Sequence, residues 1–238
     1  MFVSPDLTIE EVMHAYECCR KTKRSSASAI EFELNFSSNI MRIYNEVRNC
    51  TWKPQPHMCF VVENPKYREV WASNFADRVV HHICYNRLRP RFEPYWIATT
   101  FACIEGRGTG AASEWAERSA RRVTQGWSQK AYVLQADIKN FFPRIMRQKL
   151  HEMLKPRTYE PWLDHLVNEI INVDVTANAH LPGDPSLLKL IPEFKSLWNA
   201  EPGRGLPIGN LTSQFGANVY LDNVDQVIAR SKIAKFYG

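Results

Sequence analysis

The sequence predicts an α+β fold, and three observations support this. Amphipathic helical patterns and short apolar runs are interspersed without the regular strand–helix alternation of a doubly wound sheet. Hydrophobic residues make up 45% of the 238 residues and charged residues 23%, the balance of a chain that folds around a core. The sequence contains no internal repeat and no low-complexity tract, which argues against a solenoid or a disordered chain.

The first 50 residues predict an N-terminal helical segment. Residues 8–22 predict a helix with Thr8 as its N-cap and two glutamates in its first turn, where negative charge complements the helix dipole. Residues 30–48 carry apolar side chains at helical spacing and predict a second helix.

Residues 51–130 form the second predicted segment, which begins with a hairpin. Two short apolar runs at residues 58–62 and 68–72 are separated by the breaker Asn64-Pro65, a pattern typical of two strands joined by a loop. The rest of the segment predicts two helices, at residues 75–89 and 109–124.

Basic residues cluster on both of these helices. Residues 78–92 and 118–130 each contain several arginines, and neither range contains an acidic residue. The net charge of +5 is compatible with a polyanionic partner. The clusters alone equally indicate solvated helix faces.

Residues 131–238 form the third predicted segment. It begins with an apolar, strand-like run and ends with a long helix, and a Pro- and Gly-rich connection lies between them. The predicted elements are a strand at 131–138, helices at 144–154, 161–172 and 211–231, and an irregular connection at 173–205.

Cysteine usage and the absence of targeting signals predict a cytoplasmic protein. The six cysteines form no CxxC pair and have no histidine at zinc-ligand spacing, so we expect reduced thiols. The N-terminus lacks the apolar region of a signal peptide, and no apolar run is long enough to predict a membrane span.

Asp137 is the sharpest candidate for chemistry. It lies at the end of the predicted strand, where a rigidly held carboxylate is a suitable ligand for Mg²⁺. Aspartate is also common at helix N-caps and in turns after strands. From spacing alone, a role for Asp137 as an N-cap or turn residue is favoured over a role as a metal ligand.

Two further segments suit phosphate or nucleotide contacts. Residues 203–214 combine Gly and Pro in a tight loop that opens into a helix, which brings backbone amides close to a ligand or serves as an ordinary helix entry. This loop has no Walker lysine, so a P-loop is excluded. Lys66 and Arg68 on the hairpin can clamp a triphosphate or protect an edge strand from aggregation.

Two weaker indications of a binding site lie between the hairpin and the loop at residues 203–214. The Gly-Arg-Gly-Thr-Gly run at residues 106–110 is weak evidence for nucleic-acid contact. His81 and His82 are adjacent on a helix and point in different directions, so they predict a solvated or template-facing pair rather than a metal site.

Together and in order, these segments resemble bacterial reverse transcriptases. The run Ala-Asp-Ile-Lys-Asn-Phe-Phe at residues 136–142 is similar to the first catalytic motif of that family. The resemblance implies that Asp137 binds two metal ions, that Ile138 contributes its carbonyl, and that Phe142 is the gate that excludes a ribose 2′-hydroxyl.

The other motifs imply further site residues. Residues 65–69 resemble the element that grips the triphosphate, residues 77–109 resemble the next block of prokaryotic members, and residues 205–221 resemble the loop and helix behind the nascent base pair. The implied nucleotide contacts are Lys66, Arg68, Phe142, Ile208, Gly209 and Asn210, and the implied nucleic-acid contacts are Arg78, His82, Arg107 and Gln214.

The resemblance also implies an architecture and a set of ligands. The architecture is a right-hand polymerase with fingers at residues 51–130, a partial palm at 131–238 and no thumb. The ligands are two Mg²⁺ ions, with Mn²⁺ as a substitute, dNTPs, template RNA, the cDNA primer and a small helical accessory protein. At positions 208 and 214, where most reverse transcriptases have Gln and Pro, this chain has Ile208 and Gln214. This form of the motif is similar to that of diversity-generating retroelement enzymes, which misincorporate at adenines.

One family motif is missing from the sequence. No Asp-Asp pair occurs, so we expect a chain truncated before that motif and inactive alone. A non-catalytic nucleic-acid-binding scaffold of the same fold is the second interpretation, and a metal-dependent nuclease is a weaker third. Group II intron, retron and defence enzymes stay open as alternative classes.

Overall fold

The computed structural model describes residues 6–21, 26–231 and 233–238. Helices dominate these ranges, and a small antiparallel sheet accompanies them, which agrees with an α+β class. The elements are α1 (Ile9–Arg20), α2 (Ala27–Leu34), α3 (Phe36–Arg48), β1 (Met58–Val62), β2 (Arg68–Ala72), α4 (Phe75–Phe92), α5 (Thr109–Val123), α6 (Phe141–Arg144), α7 (Arg147–Leu154), α8 (Pro161–Asn172) and α9 (Leu211–Ser231).

The first predicted helix is confirmed together with its cap. The Thr8 hydroxyl accepts a hydrogen bond from the Glu11 amide at 3.3 Å, and the Glu11 carboxylate accepts one from the Thr8 amide at 3.0 Å. This reciprocal pair satisfies two amides that a helix N-terminus leaves without partners.

The single helix predicted at residues 30–48 is wrong, because the chain breaks at Asn35 into α2 and α3. The Asn39 side chain donates to the Phe32 carbonyl at 2.9 Å and replaces a bond that a continuous helix would make. The break allows Phe32 and Phe36 to pack against the ring of Tyr16 in α1.

The predicted hairpin is confirmed, and both of its edges are paired. Strands β1 and β2 are antiparallel, with Met58 opposite Ala72. Beside β1, the Cys59 amide donates to the His180 carbonyl at 2.8 Å. Beside β2, the Trp71 amide donates to the Ile208 carbonyl at 2.7 Å. These contacts stabilise a two-stranded ribbon that would be marginal alone.

The predicted irregular connection at 173–205 is confirmed. Besides isolated bridges at His180 and Arg204, it contains short 3₁₀ turns at Pro185–Leu190, Glu193–Lys195 and Leu197–Asn199. It covers the hairpin and forms a small second core from Cys59, Trp71, Val175 and Leu197. The buried Glu69 carboxylate anchors it by accepting from the Ser196 hydroxyl at 2.9 Å and from the Leu197 amide.

The main core joins helices from all three predicted segments. Helix α4 lies at its centre and packs against α1, α8 and α9. Because several elements cover it, α4 buries polar as well as apolar side chains, among them His81 and Arg87.

Three arginines of the 78–92 cluster, Arg87, Arg89 and Arg91, form ion pairs within the protein. Arg87 is 6% exposed and lies 2.8 Å from the Glu11 carboxylate in α1 and 3.6 Å from that of Glu160, which precedes α8. Arg91 contacts the same Glu160 at 2.5 Å, and Arg89 contacts Glu93. Acids distant in sequence therefore neutralise much of this cluster.

The strand predicted at residues 131–138 is wrong for the described chain. These residues form no backbone pairing, and their side chains are exposed, including Tyr132 at 99% and Leu134 at 92%. A strand needs a neighbour for its amides and carbonyls, and β1 and β2 already pair with other segments.

Within the described ranges, no helix is both long and apolar enough to span a bilayer.

Candidate functional site

A cavity of about 360 Å³ lies where α6, α9 and the loop before α9 meet. It brings together four predicted site residues from two motifs that are far apart in sequence: Phe142 from the first, and Ile208, Gly209 and Gln214 from the second. The other lining residues are Ala102, Cys103, Phe141, Ala217, Asn218 and Leu221.

One wall is aromatic and depends on a backbone reversal at Asn140. This residue adopts the left-handed conformation (φ 57°, ψ 44°), which Asn tolerates better than most residues, and α6 begins immediately after it. The rings of Phe141 and Phe142 meet edge to face at 5.5 Å, and Phe141 also contacts the Tyr220 ring at 6.2 Å. These contacts fix the ring of Phe142 at the cavity.

The second wall is the loop that contains Ile208 and Gly209. The Leu206 amide donates to the Phe142 carbonyl at 3.0 Å, so the loop is tied to α6 as well as to β2. Gly209 has φ +124°, and a Cβ atom there would lie 2.6 Å from the Trp71 carbonyl oxygen. Only glycine satisfies both the conformation and the close approach.

The third wall is formed by residues that the sequence analysis did not assign to the site. The Asn218 side chain in α9 donates to the Ala102 carbonyl at 2.8 Å and holds Cys103 beside the cavity. Both Ala102 and Asn218 lie in motifs that the resemblance included, so their motif membership was an available signal. Sequence spacing gives no indication that they touch.

Asn210 follows Gly209 in the loop wall but does not line the cavity. Its side chain is 4% exposed, and its Oδ1 accepts a hydrogen bond from the Ser73 hydroxyl at 3.0 Å. It can therefore affect a ligand in the cavity only through the loop that it anchors.

The prediction of a solvated or template-facing His81 is wrong, since this side chain is 5% exposed. It contacts Ser73 and Thr212, and burial lowers its pKa to about 3. The residue lies on the central helix α4, whose neighbours cover the face that sequence periodicity left unassigned.

Asp137 and Ile138 lie on the exposed 131–138 segment. Among residues 6–21, 26–231 and 233–238, no group of three His, Cys, Asp or Glu side chains is arranged to hold a metal ion. The described residues thus do not assemble the two-ion site that the resemblance implies.

The remaining predicted contacts lie outside the cavity. Lys66 and Arg68 are exposed at the end of the hairpin. Arg78 is half-buried, and burial lowers its pKa; burial likewise lowers the pKa of His82 to about 4. Arg107 is exposed and borders a larger cavity, of about 810 Å³, beside α1 and α4. Among the four predicted nucleic-acid contacts, Gln214 alone lines the smaller cavity.

The second basic cluster differs from the first because its helix is open to solvent. No residue of α5 is buried, and Arg118, Arg121 and Arg122 are all exposed. Arg121 lies 3.6 Å from Glu117 on the surface, and Arg122 lies over the Phe236 ring. These arginines share one side of the helix by their spacing and present positive charge to solvent.

Comparisons with known proteins add no relative. A scan against protein-family models finds no match to the chain, and a search of curated proteins finds none either.

Proposed function

We propose that this chain binds an incoming deoxynucleotide opposite a template base, as the fingers and part of the palm of a bacterial RNA-directed DNA polymerase. One observation supports the proposal above the others. Residues from motifs that resemble those of reverse transcriptases, far apart in sequence, line one small cavity, among them Phe142, Ile208 and Gln214.

The chemistry of the cavity suits a nucleoside. Its volume of about 360 Å³ lies within the range of small-molecule sites, roughly 300–1,000 Å³. Phe142 and Ile208 offer apolar surface to a sugar and a base, and Gln214 and Asn218 offer polar groups at the edge. A deoxyribose seated against the Phe142 ring leaves no space for a 2′-hydroxyl, which is the basis we propose for sugar selection.

Exposed cations outside the cavity complete the proposed binding surface. Lys66 and Arg68 neutralise the triphosphate, Lys as a point charge and Arg as a fork. The arginines of α5 contact the template backbone, because they are exposed and lie on one side of a helix that has no buried residue. This surface predicts salt-dependent binding of nucleic acid.

Asp137 is the proposed catalytic carboxylate, and two Mg²⁺ ions, or Mn²⁺ in their place, would supply charge stabilisation at the reacting phosphate. The side chain would serve as one oxygen ligand and the Ile138 carbonyl as another. Because residues 131–138 are unpaired in the described chain, catalysis by Asp137 requires this segment to acquire a fixed position.

A non-catalytic scaffold that binds nucleic acid is the second candidate. The observation that favours it is the exposure of the segment that carries Asp137, which leaves the carboxylate without a rigid setting. The cavity and the basic helix α5 would serve such a scaffold equally well. The assignments to diversity-generating elements and to adenine misincorporation stay predictions.

Primer extension separates the two candidates. The protein as its gene encodes it is supplied with an RNA template, a DNA primer, dNTPs and Mg²⁺. Extension that Asp137→Ala abolishes and the matched exposed-carboxylate variant Asp184→Ala preserves is the result expected of a polymerase. No extension by a protein that retains RNA binding would instead favour the scaffold.

A further inference from the structure

Five buried polar residues form a cluster behind the loop wall of the cavity. They come from the chain before β1, the turn after β2, helix α4, the loop before α9 and the first turn of α9. The residues, with their exposed fractions, are His57 at 2%, Ser73 at 0%, His81 at 5%, Asn210 at 4% and Thr212 at 4%. No cation or carboxylate belongs to the cluster, which is held by neutral groups.

The contacts of the cluster are satisfied together when His81 is protonated on Nε2. In that tautomer Thr212 Oγ1 donates to His81 Nδ1 at 2.6 Å, and His81 Nε2 donates to Ser73 Oγ at 3.3 Å. Ser73 Oγ also lies 3.0 Å from His57 Nε2. The Ser73 hydroxyl donates to Asn210 Oδ1 at 3.0 Å, and Asn210 Nδ2 donates to His57 Nε2 at 3.3 Å. Each donor in this series of hydrogen bonds thus reaches an acceptor, which is the condition for a stable buried network.

The far end of the cluster is fixed to backbone. His57 Nε2 serves as an acceptor, so its other ring nitrogen serves the hydrogen bond to the Gln55 backbone. Gln55 is in turn held by the Asp77 carboxylate, which accepts from its amide at 2.8 Å. The cluster therefore connects the loop before α9 to the N-terminal turns of α4.

We propose that this cluster positions the Ile208–Gly209 wall of the cavity, with Ser73 and His81 as positioning residues for the bound nucleotide; the nucleotide part of this inference rests on the proposed function. Asn210 is the residue after Gly209, so a bond that fixes its side chain also fixes the end of the wall. The other fixed point is the bond from the Trp71 amide to the Ile208 carbonyl.

Substitutions that keep volume and remove one hydroxyl provide the test. Ser73→Ala leaves Asn210 Oδ1 and His81 Nε2 without their shared partner, and Thr212→Val leaves His81 Nδ1 without a donor. Thr158→Val is the matched control, because Thr158 is a buried threonine that hydrogen-bonds Lys155 and Asp164 and does not line the cavity. His57→Gln is the conservative variant, since its side-chain oxygen can accept where Nε2 accepts.

Two readouts are measured on the protein as its gene encodes it. The first is hydrogen exchange at the Trp71 amide, which reports opening of the bond to Ile208 whatever the function of the cavity. The second is the KM for dNTP in primer extension. We expect Ser73→Ala and Thr212→Val each to raise the exchange rate of the Trp71 amide and the KM for dNTP by about tenfold, with a smaller change in kcat. We expect His57→Gln and Thr158→Val to change the exchange rate and the KM by no more than about twofold.

The outcomes distinguish this inference from the proposed function. Unchanged Trp71 exchange in folded Ser73→Ala and Thr212→Val proteins would overturn the positioning role. Faster exchange with an unchanged KM would show that the wall is positioned but does not contact the nucleotide, which overturns the nucleotide part. Faster exchange in a protein without polymerase activity would remove the proposed function and retain the positioning of the wall.

Discussion

The Trp71 amide donates a hydrogen bond of 2.7 Å to the carbonyl oxygen of Ile208. Trp71 lies in β2 and Ile208 in the loop before α9, so this bond joins two elements that are far apart in the chain. It places the loop along the edge of the hairpin, with Gly209 against the Trp71 carbonyl. The shape of the cavity depends on this contact.

Replacement of Gly209 by Ala should therefore disturb the cavity. The new Cβ atom would lie 2.6 Å from a backbone oxygen, at a φ of +124° that is strained for any side chain. Gly183→Ala is the control, because Gly183 also has a positive φ (+95°) but has nothing within 4 Å of its Cβ position. We expect Gly209→Ala to lose about 2 kcal/mol more in free energy of unfolding than Gly183→Ala, measured by urea denaturation. Equal losses would contradict the close approach.

Truncation of Phe142 should relax sugar selection if the cavity binds a nucleotide. Phe142→Val removes part of the surface that we expect beneath the ribose, and the ratio of kcat/KM for dNTP over rNTP should fall by about tenfold or more. Phe60→Val is the control, because Phe60 is a partly exposed phenylalanine of β1 that does not line the cavity. Selection that is unchanged in Phe142→Val would argue against a nucleotide in this cavity.

Removal of charge from α5 should weaken nucleic-acid binding and reduce its salt dependence. For the triple variant Arg118→Ala, Arg121→Ala and Arg122→Ala, we expect the slope of log K against log salt to fall by about 0.7–0.9 for each phosphate that the variant no longer neutralises. The control is the triple variant Lys149→Ala, Lys155→Ala and Lys189→Ala, which removes the same charge from exposed positions elsewhere. An equal effect in both would indicate net charge rather than a defined surface.

The buried histidines should make the protein sensitive to acid. Burial lowers the pKa of His57 from 6.5 to about 4, so its contribution to stability is complete above pH 6.5 and is lost as the pH falls toward 4. The size of this contribution is about 3 kcal/mol. Asp77 acts in the opposite direction, because burial raises its pKa to about 6 and its contribution is lost as the pH rises from 3.8 through 6.

A comparison with His57→Gln separates the histidine from the aspartate. The free energy of unfolding of this variant should fall less than that of the parent between pH 7 and pH 4, while the Asp77 effect remains in both. The titratable group that interacts with His57 is His81, which in turn interacts with His82 and Arg78. Parallel pH profiles for the two proteins would refute the effect assigned to His57.

Loss of the Glu160 charge should destabilise the core. Glu160 is 5% exposed and contacts both Arg87 and Arg91, so Glu160→Gln removes the carboxylate that contacts Arg91 and one of the two carboxylates that contact the buried Arg87. We expect a loss of about 3 kcal/mol in free energy of unfolding. The exposed Glu152→Gln, whose partner is Gln148 on the same helix, should lose less than about 0.5 kcal/mol. Similar losses of unfolding free energy in Glu160→Gln and Glu152→Gln would mean that the contacts of Glu160 with Arg87 and Arg91 are not buried ion pairs.

Local structure was largely predictable from local sequence. The Thr8 cap, the periodicity of α4 and the breaker between β1 and β2 act within a few residues, so the helix start, the helix face and the hairpin follow from neighbouring side chains. The motif resemblance also grouped Phe142 with Ile208, and the two residues do line one cavity. The break at Asn35 was missed because it depends on packing between helices.

The sequence by itself determined the α+β class, most helices, the hairpin and the candidate residues. The tertiary structure decided that residues 131–138 are unpaired, that Arg87 is buried with Glu11 and Glu160, and that His81 belongs to an internal network. The physical reason is the range of the interactions. A cap or an amphipathic stripe is satisfied locally, whereas a strand, a buried charge and a buried imidazole each need a partner that only folding brings near.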